Sequence, residues 1–73
     1  MLEPGGEVGE HTTETGQELI VILEGTATVI AGGERGEATA PSEVLIPINT
    51  VHNVKNESSK LLKYVYIVST NRN

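Results

Sequence analysis

The chain alternates short runs of Val, Ile, Leu and Thr with turns rich in Gly, Pro and Asn, and this spacing is what most constrains its fold. Turn signals recur roughly every 6–12 residues, which is typical of a small sandwich or barrel. No window free of Gly and Pro has the periodicity of a helix. Val, Ile and Thr also favour strands over helices. The sequence therefore predicts an all-β protein.

The pattern predicts about seven short strands within a single domain over residues 1–73. The predicted strands cover residues 8–13, 18–24, 26–31, 37–40, 44–46, 51–55 and 61–68. Residues 1–6 are expected to be an N-terminal loop and residues 69–73 a polar tail.

The strand over residues 18–24 is apolar on both of its faces. Side chains alternate along a strand, so if Glu18 faces inward, Ile20 and Ile22 do too. The other face then carries three aliphatic side chains, those of Leu19, Val21 and Leu23. A chain this short has little with which to cover that second face. We therefore expect a homodimer with a sheet-based, largely apolar interface.

Charge and composition exclude several classes of partner. Five basic against ten acidic residues give a net charge of −5, so neither nucleic acid nor an anionic membrane surface is an expected partner. No apolar run is long enough to span a bilayer, and no signal-peptide pattern follows Met1. The chain has no cysteine, which excludes disulfides and thiolate metal sites. These features predict a cytoplasmic protein without a membrane segment.

Both histidines of the chain, His11 and His52, stand beside turn residues and strand-like apolar residues. His11 and Thr13 would share one face of the first strand. Glu18 would join them if the first two strands pair as neighbours across the turn at Gly16. His52 would come from a strand distant in sequence.

Two imidazoles and a carboxylate form the ligand set of open transition-metal sites, where water or substrate takes the remaining positions. Such a set suits Fe(II), Mn(II), Ni(II), Zn(II) or Cu(II), and the sequence does not choose among them. Each residue also has a plainer interpretation. A single His in a strand is usually a surface or hydrogen-bonded residue, and a Glu that opens a strand is usually solvated.

The two histidine-containing stretches resemble the motifs of the cupin superfamily, whose members are small β-barrels also described as double-stranded β-helices or jelly rolls. The first motif reads Gly, five residues, His, one residue, His, three or four residues, Glu, six residues, Gly. The second reads Gly, five residues, Pro, one residue, Gly, two residues, His, three residues, Asn. Seven residues here fall on these positions, namely Gly5, His11, Glu18, Gly25, Pro47, His52 and Asn56.

Three positions depart from the family pattern. Thr13 stands where the second His would be, Asn49 where the second motif has Gly, and Pro41 where that motif begins with Gly. Asn tolerates the left-handed conformation that Gly would serve, so the change at Asn49 is mild. Thr13 removes one of the four usual metal ligands.

The resemblance implies a metal site formed by His11, Glu18 and His52, with Thr13 lining the ligand pocket or orienting a water. It further implies a small cupin barrel that holds a divalent metal and a small polar organic ligand. Whether such a protein is an enzyme stays open, because the fold supports many functions. The alternatives are a non-catalytic barrel that binds or senses a small molecule such as a sugar, with a degenerate metal site, and a structural barrel that mainly self-associates.

Overall fold

The computed structural model describes residues 1–12 and 16–70, and this part of the chain folds into strands without a helix. The strands are β1 (His11–Thr12), β2 (Gly16–Glu24), β3 (Thr26–Ala31), β4 (Glu34–Thr39), β5 (Ser42–Ile46), β6 (Val51–Lys55) and β7 (Lys63–Thr70). They form a four-stranded sheet in the order β1-β6-β3-β4 and a three-stranded sheet in the order β5-β2-β7. All pairings are antiparallel. The predicted all-β jelly-roll barrel is confirmed.

One hydrophobic core lies between the two sheets. Its buried members are Ile20, Ile22, Ala27, Val29, Ile46, Val54 and Leu62. Ile20 and Ile22 come from the inward face of β2, and Glu18 on the same face is also buried, as the alternation predicted. The inward face of β2 therefore places a carboxylate at one end of the core.

Two predicted strands have the predicted bounds, and three others begin earlier, including β2, which begins at Gly16 instead of Glu18. Thr26–Ala31 and Val51–Lys55 agree with the prediction. β4 begins at Glu34, within a stretch expected to be a turn, because the turn consists of Gly32 and Gly33 alone and pairing with β3 resumes directly. β5 begins at Ser42 because that residue still pairs with Ile22 of β2.

Pairing with the central strand β2 also extends β7 beyond its predicted end. Gly16 pairs with Thr70, so β7 runs to Thr70 and the predicted tail over residues 69–73 begins as strand. At its other end β7 begins at Lys63, and Leu62 instead forms an isolated bridge with Leu2 of the N-terminal segment. The predicted N-terminal loop is thus tied to the barrel.

β1 departs most from the prediction. Only His11–Thr12 of the predicted strand over residues 8–13 are assigned as strand among the described residues, and Thr13 lies outside them. The expectation that the first two strands pair as neighbours is wrong, because β1 pairs with β6 and belongs to the other sheet. His11 and Glu18 therefore approach each other across the barrel interior.

The turn before β6 contains one of the departures from the family motif. Asn49 has a φ of 59°, the left-handed conformation expected for an Asn in place of Gly. Pro41 lies in the short connection between β4 and β5. The assignment of one domain over residues 1–73 stays a prediction. Within residues 1–12 and 16–70, no helix is long and apolar enough to cross a membrane.

Candidate metal centre

Three strands bring the predicted ligands together. His11 of β1 lies directly opposite His52 of β6 in the four-stranded sheet. Glu18 of β2 reaches them from the facing sheet. His52 has the same parity along its strand as the core residue Val54, so its side chain points into the barrel.

The three side chains are close enough to one another to hold one ion between them. The Nε2 atom of His52 is 3.2 Å from Oε1 of Glu18, and Nε2 of His11 is 3.6 Å from the same oxygen. The imidazole centroids are 4.0 Å apart, with 60° between the ring planes. One ligand atom from each residue can be chosen so that all three lie within 4.8 Å of one another. Bonds of about 2.0–2.1 Å at tetrahedral angles separate two donor atoms by roughly 3.3 Å, close to the observed values.

Backbone carbonyls orient both imidazoles in the same way. Nδ1 of His11 is 2.9 Å from the carbonyl oxygen of Gly9, and Nδ1 of His52 is 2.8 Å from that of Thr50. A carbonyl oxygen only accepts, so Nδ1 carries the proton in each ring. In the neutral ring Nε2 then presents a lone pair, and in both residues that atom faces Glu18. This is the outer-shell arrangement typical of metal-binding histidines.

Two imidazole lone pairs and a carboxylate thus converge with no hydrogen between them when the rings are neutral. Three acceptors at this distance repel one another unless a cation lies among them. A proton on one ring or a divalent metal ion supplies that charge. Nitrogen and oxygen donors in this ratio fit a first-row transition metal.

Exposure differs sharply among the three candidate ligands. The side chain of His52 is fully buried and that of Glu18 is 8% exposed, whereas that of His11 is 41% exposed. The site is therefore closed on the side of β2 and β6 and open beside β1. Thr13, predicted to line the ligand pocket or orient a water, lies outside the described residues.

A tyrosine on β7 shares the inward face with Glu18. Tyr64 pairs with Ile22, and Tyr66 pairs with Ile20, so both tyrosines are on the same side of β7. Tyr64 is half-buried, whereas Tyr66 is 61% exposed. Burial raises the pKa of Tyr64, and the neighbouring Tyr66 and the Glu18 carboxylate raise it further. The Tyr64 phenol therefore stays protonated at neutral pH.

A cavity of about 330 Å³ opens on the inner side of β3 and β4. It is lined by five small or apolar residues, Val29, Ala31, Gly36, Ala38 and Val44, and by three charged residues, Glu34, Arg35 and Glu37. Ala31 pairs with both His52 and Glu34, so the cavity begins one strand away from the candidate ligands.

Sequence reasoning did not identify the residues that support the site. Gly9 accepts from His11 through its carbonyl oxygen, and its N–H donates to the side chain of Asn53. The cavity residue Glu34 was expected in a turn. Gly9 carries one sequence signal, because an isolated Gly within a strand pattern indicates a bulge.

Comparison with known proteins agrees with the observed fold. The family model described as Cupin domain matches residues 1–68. A predicted oxalate decarboxylase from Thermotoga maritima superposes with a TM-score of 0.91 at 23% identity, covering 96% of this chain and 61% of that one. The cupin domain of Cnp3 from Schizosaccharomyces pombe gives 0.91 at 16% identity, covering 96% and 51%.

A third structure, TT1209 from Thermus thermophilus, gives a TM-score of 0.89 at 25% identity, covering 94% of this chain and 66% of that one. The chain spans less than two thirds of each of these three structures. A search of curated proteins gave no match.

Proposed function

The chain belongs to the cupin family, and from this premise we propose that it binds a divalent transition metal through His11, Glu18 and His52. The barrel then holds a small polar organic ligand beside the metal. A metal bound there would act as a Lewis acid on an oxygen of that ligand.

One observation carries the metal proposal, the matched orientation of the two imidazoles. In each ring, Nδ1–H donates to the backbone carbonyl oxygen two residues earlier, and Nε2 faces the same Glu18 oxygen. A histidine that served only packing would need no such pairing with a second histidine. Three protein ligands leave positions for water or substrate, which is the arrangement of catalytic and exchangeable metal sites.

Metal content and metal-linked stability test this proposal. The protein purified without chelator is analysed for Fe, Mn, Ni, Cu and Zn, and Zn(II) and Ni(II) are titrated into the stripped protein by calorimetry. A ligand that binds only the folded state stabilises it by about 2.7 kcal/mol at one hundred times its Kd. We therefore expect metal at that excess to raise the thermal unfolding midpoint by roughly 10–20 °C.

Two variants and a control make the result specific. Glu18→Gln and His11→Ala should each weaken metal binding by roughly ten-fold or more, since each removes one of three ligands. Glu43→Gln removes an exposed carboxylate of β5 and should leave the affinity unchanged. Equal affinities for Glu18→Gln and the native chain would contradict the proposed site.

The cavity supports the second half of the proposal. Its apolar walls suit the carbon skeleton of a small molecule, and the Glu34 carboxylate suits a hydroxyl or amino group. Glu34, Ala31, His52 and His11 lie in one row across the sheet. Because neighbouring strands are about 4.8 Å apart, a ligand of a few atoms can reach from the metal to Glu34.

The alternative, a barrel that binds a small molecule without metal, predicts a different outcome. Ligand binding in that case persists in chelator and in Glu18→Gln, but it is lost when the cavity is filled by Gly36→Leu. Under the metal proposal, both chelator and Glu18→Gln weaken ligand binding.

A further inference from the structure

We propose that Asn53 is a positioning residue of the metal centre, because it holds a β-bulge at Gly9 that turns His11 into the barrel. The position of Asn53 is argued from strand register and hydrogen bonds. Its effect on metal binding rests on the proposed metal function.

The register of the N-terminal segment against β6 changes by one residue. Glu7 forms a bridge with Lys55, and His11 pairs with His52. Three steps along β6 therefore correspond to four steps along the N-terminal segment. One extra residue in one strand of an antiparallel pair is a β-bulge.

The extra residue decides which side chain enters the site. Side chains alternate between the two faces, so a shift of one residue exchanges the faces. Uninterrupted pairing from the Glu7–Lys55 bridge would put Glu10 opposite His52 and turn His11 outward. The bulge puts His11 opposite His52 instead. A metal site with His11 as a ligand therefore requires the β-bulge.

Gly9 is where the regular pairing breaks. The N–H of Val8 still donates to the carbonyl oxygen of Val54 at 2.9 Å. The N–H of Gly9 donates instead to Oδ1 of Asn53, also at 2.9 Å. Gly9 has a φ of 106°, a conformation that other residues rarely adopt.

The side chain of Asn53 connects both sides of the bulge. Its Nδ2 donates to Oε1 of Glu7 at 2.9 Å, before the bulge, while its Oδ1 accepts from Gly9 within it. The Gly9 carbonyl oxygen in turn accepts from Nδ1 of His11. The side chain of Asn53 is nearly buried, and it faces away from the barrel interior because it follows His52 in the strand. A continuous series of hydrogen bonds thus runs from Asn53 through Gly9 to His11.

Removal of the Asn53 amide should misplace His11 and leave His52 in position. We expect Asn53→Ala to weaken Zn(II) binding by roughly ten- to hundred-fold, the range seen when outer-shell partners of metal ligands are lost. In a His11→Ala background, Asn53→Ala should have no further effect on Zn(II) affinity. A general loss of stability would instead weaken binding in both backgrounds.

A pair of substitutions that exchanges the hydrogen-bond donor and acceptor between residues 53 and 7 should restore Zn(II) binding. Asn53→Asp keeps the acceptor for the Gly9 N–H but places a second carboxylate beside that of Glu7. The two negative charges repel, so this variant should bind Zn(II) weakly. Combining it with Glu7→Gln restores a donor and an acceptor in exchanged positions, and affinity should return toward the native value. Unfolding midpoints in the absence of metal establish that every variant is folded.

A readout without metal separates this inference from the metal proposal. The chain has only two histidines, so ¹⁵N–¹H spectra of the imidazoles report each one alone. In the native chain both rings should show the Nδ1–H form, and in Asn53→Ala the His11 ring alone should change. If the native chain binds no metal yet His11 changes, the metal proposal fails and the positioning role stands. If Asn53→Ala leaves both the His11 spectrum and Zn(II) affinity unchanged, the positioning role is wrong.

Discussion

Gly25 is a motif glycine whose replacement should be costly for two separable reasons. It has a φ of 88°, and a Cβ atom built on it would lie 2.6 Å from the carbonyl oxygen of Leu61. A left-handed conformation costs about 1–2 kcal/mol for an L-residue with a Cβ, and the overlap with backbone adds to that cost. We expect Gly25→Ala to lower the free energy of unfolding by more than about 2 kcal/mol in urea denaturation.

Gly33 supplies a matched control for Gly25. Its φ is 83°, nearly the same, but a Cβ atom there would have nothing within 4 Å. Gly33→Ala should therefore show the conformational cost alone, about 1–2 kcal/mol. Equal losses for the two variants would show that contact with Leu61 contributes nothing.

Tyr64 should give the folded protein a distinct alkaline transition. Because burial raises the pKa of Tyr64 above its ordinary value of 10.0, the folded state holds that proton more tightly than the unfolded state. The contribution to stability is therefore complete below the unfolded pKa and is lost as pH rises through the folded pKa. The unfolding midpoint should fall above about pH 10, and it should fall less in Tyr64→Phe.

The titration itself can be observed directly in a variant. Tyr64 and Tyr66 are the only aromatic residues other than histidine, so Tyr66→Phe leaves one tyrosine. Its absorbance at about 295 nm should titrate at higher pH in the folded variant than in the same variant unfolded in guanidinium chloride. Burial, the largest cause of the shift, remains in this variant. Identical titration curves would show that Tyr64 is as solvated in the folded as in the unfolded state.

Motif spacing predicted individual residues better than it predicted their roles. His11, Glu18 and His52 meet in one place, whereas Asn56 and Gly25 shape the fold. Asn56 is fully buried and its side chain bonds to Leu2, Ser58 and Lys60. Asn53 could not be predicted in the same way, because its partner Gly9 is 44 residues away and the contact depends on the register.

At the scale of strands, sequence pattern located the interior of each element and missed several ends. β3 and β6 agree with the prediction because turn residues bound each of them closely. β4 is polar and largely exposed, so apolar alternation could not reveal its beginning, which pairing with β3 determines. The local sequence pattern cannot predict a strand end that is determined by pairing with another strand.

The pairing of β1 shows the same limit with a consequence for function. Nearness in sequence favoured β2 as its neighbour, but β1 pairs with β6, about forty residues away. This distant pairing is what sets the two histidines side by side. The three residues predicted as ligands do lie together, while the pairing assumed for two of them was wrong. Their role as metal ligands stays a prediction.

At the scale of the whole molecule, β7 is an edge strand that is apolar on both faces. No other described strand pairs with its outer edge. Four consecutive side chains are about half exposed, with Val65 at 46%, Tyr66 at 61%, Ile67 at 56% and Val68 at 48%. A long apolar edge strand in water tends to pair with another chain. The homodimer expected from the sequence stays a prediction, and β7 is where we expect it to form.

A second copy of the chain fits this edge. In an antiparallel pair of β7 strands centred on Tyr66, Val65 of one copy faces Ile67 of the other, and Tyr64 faces Val68. Lys63, the one charged residue of the strand, then faces Ser69, so like charges do not meet. Such cross-strand pairs of aromatic and β-branched residues each contribute roughly 0.2–1 kcal/mol. The two three-stranded sheets would become one continuous sheet.

Light scattering at micromolar concentration tests the dimer, and two variants locate its interface. The native chain of 7.8 kDa should have about twice that mass in solution. Tyr66→Lys puts a charge at the centre of the β7 edge and should give a monomer, whereas Leu45→Lys, on the outer face of β5, should remain a dimer. The opposite pattern would place the interface on the outer apolar face of β5, β2 and β7 instead. A native mass equal to that of one chain would show that neither surface is covered by a second copy.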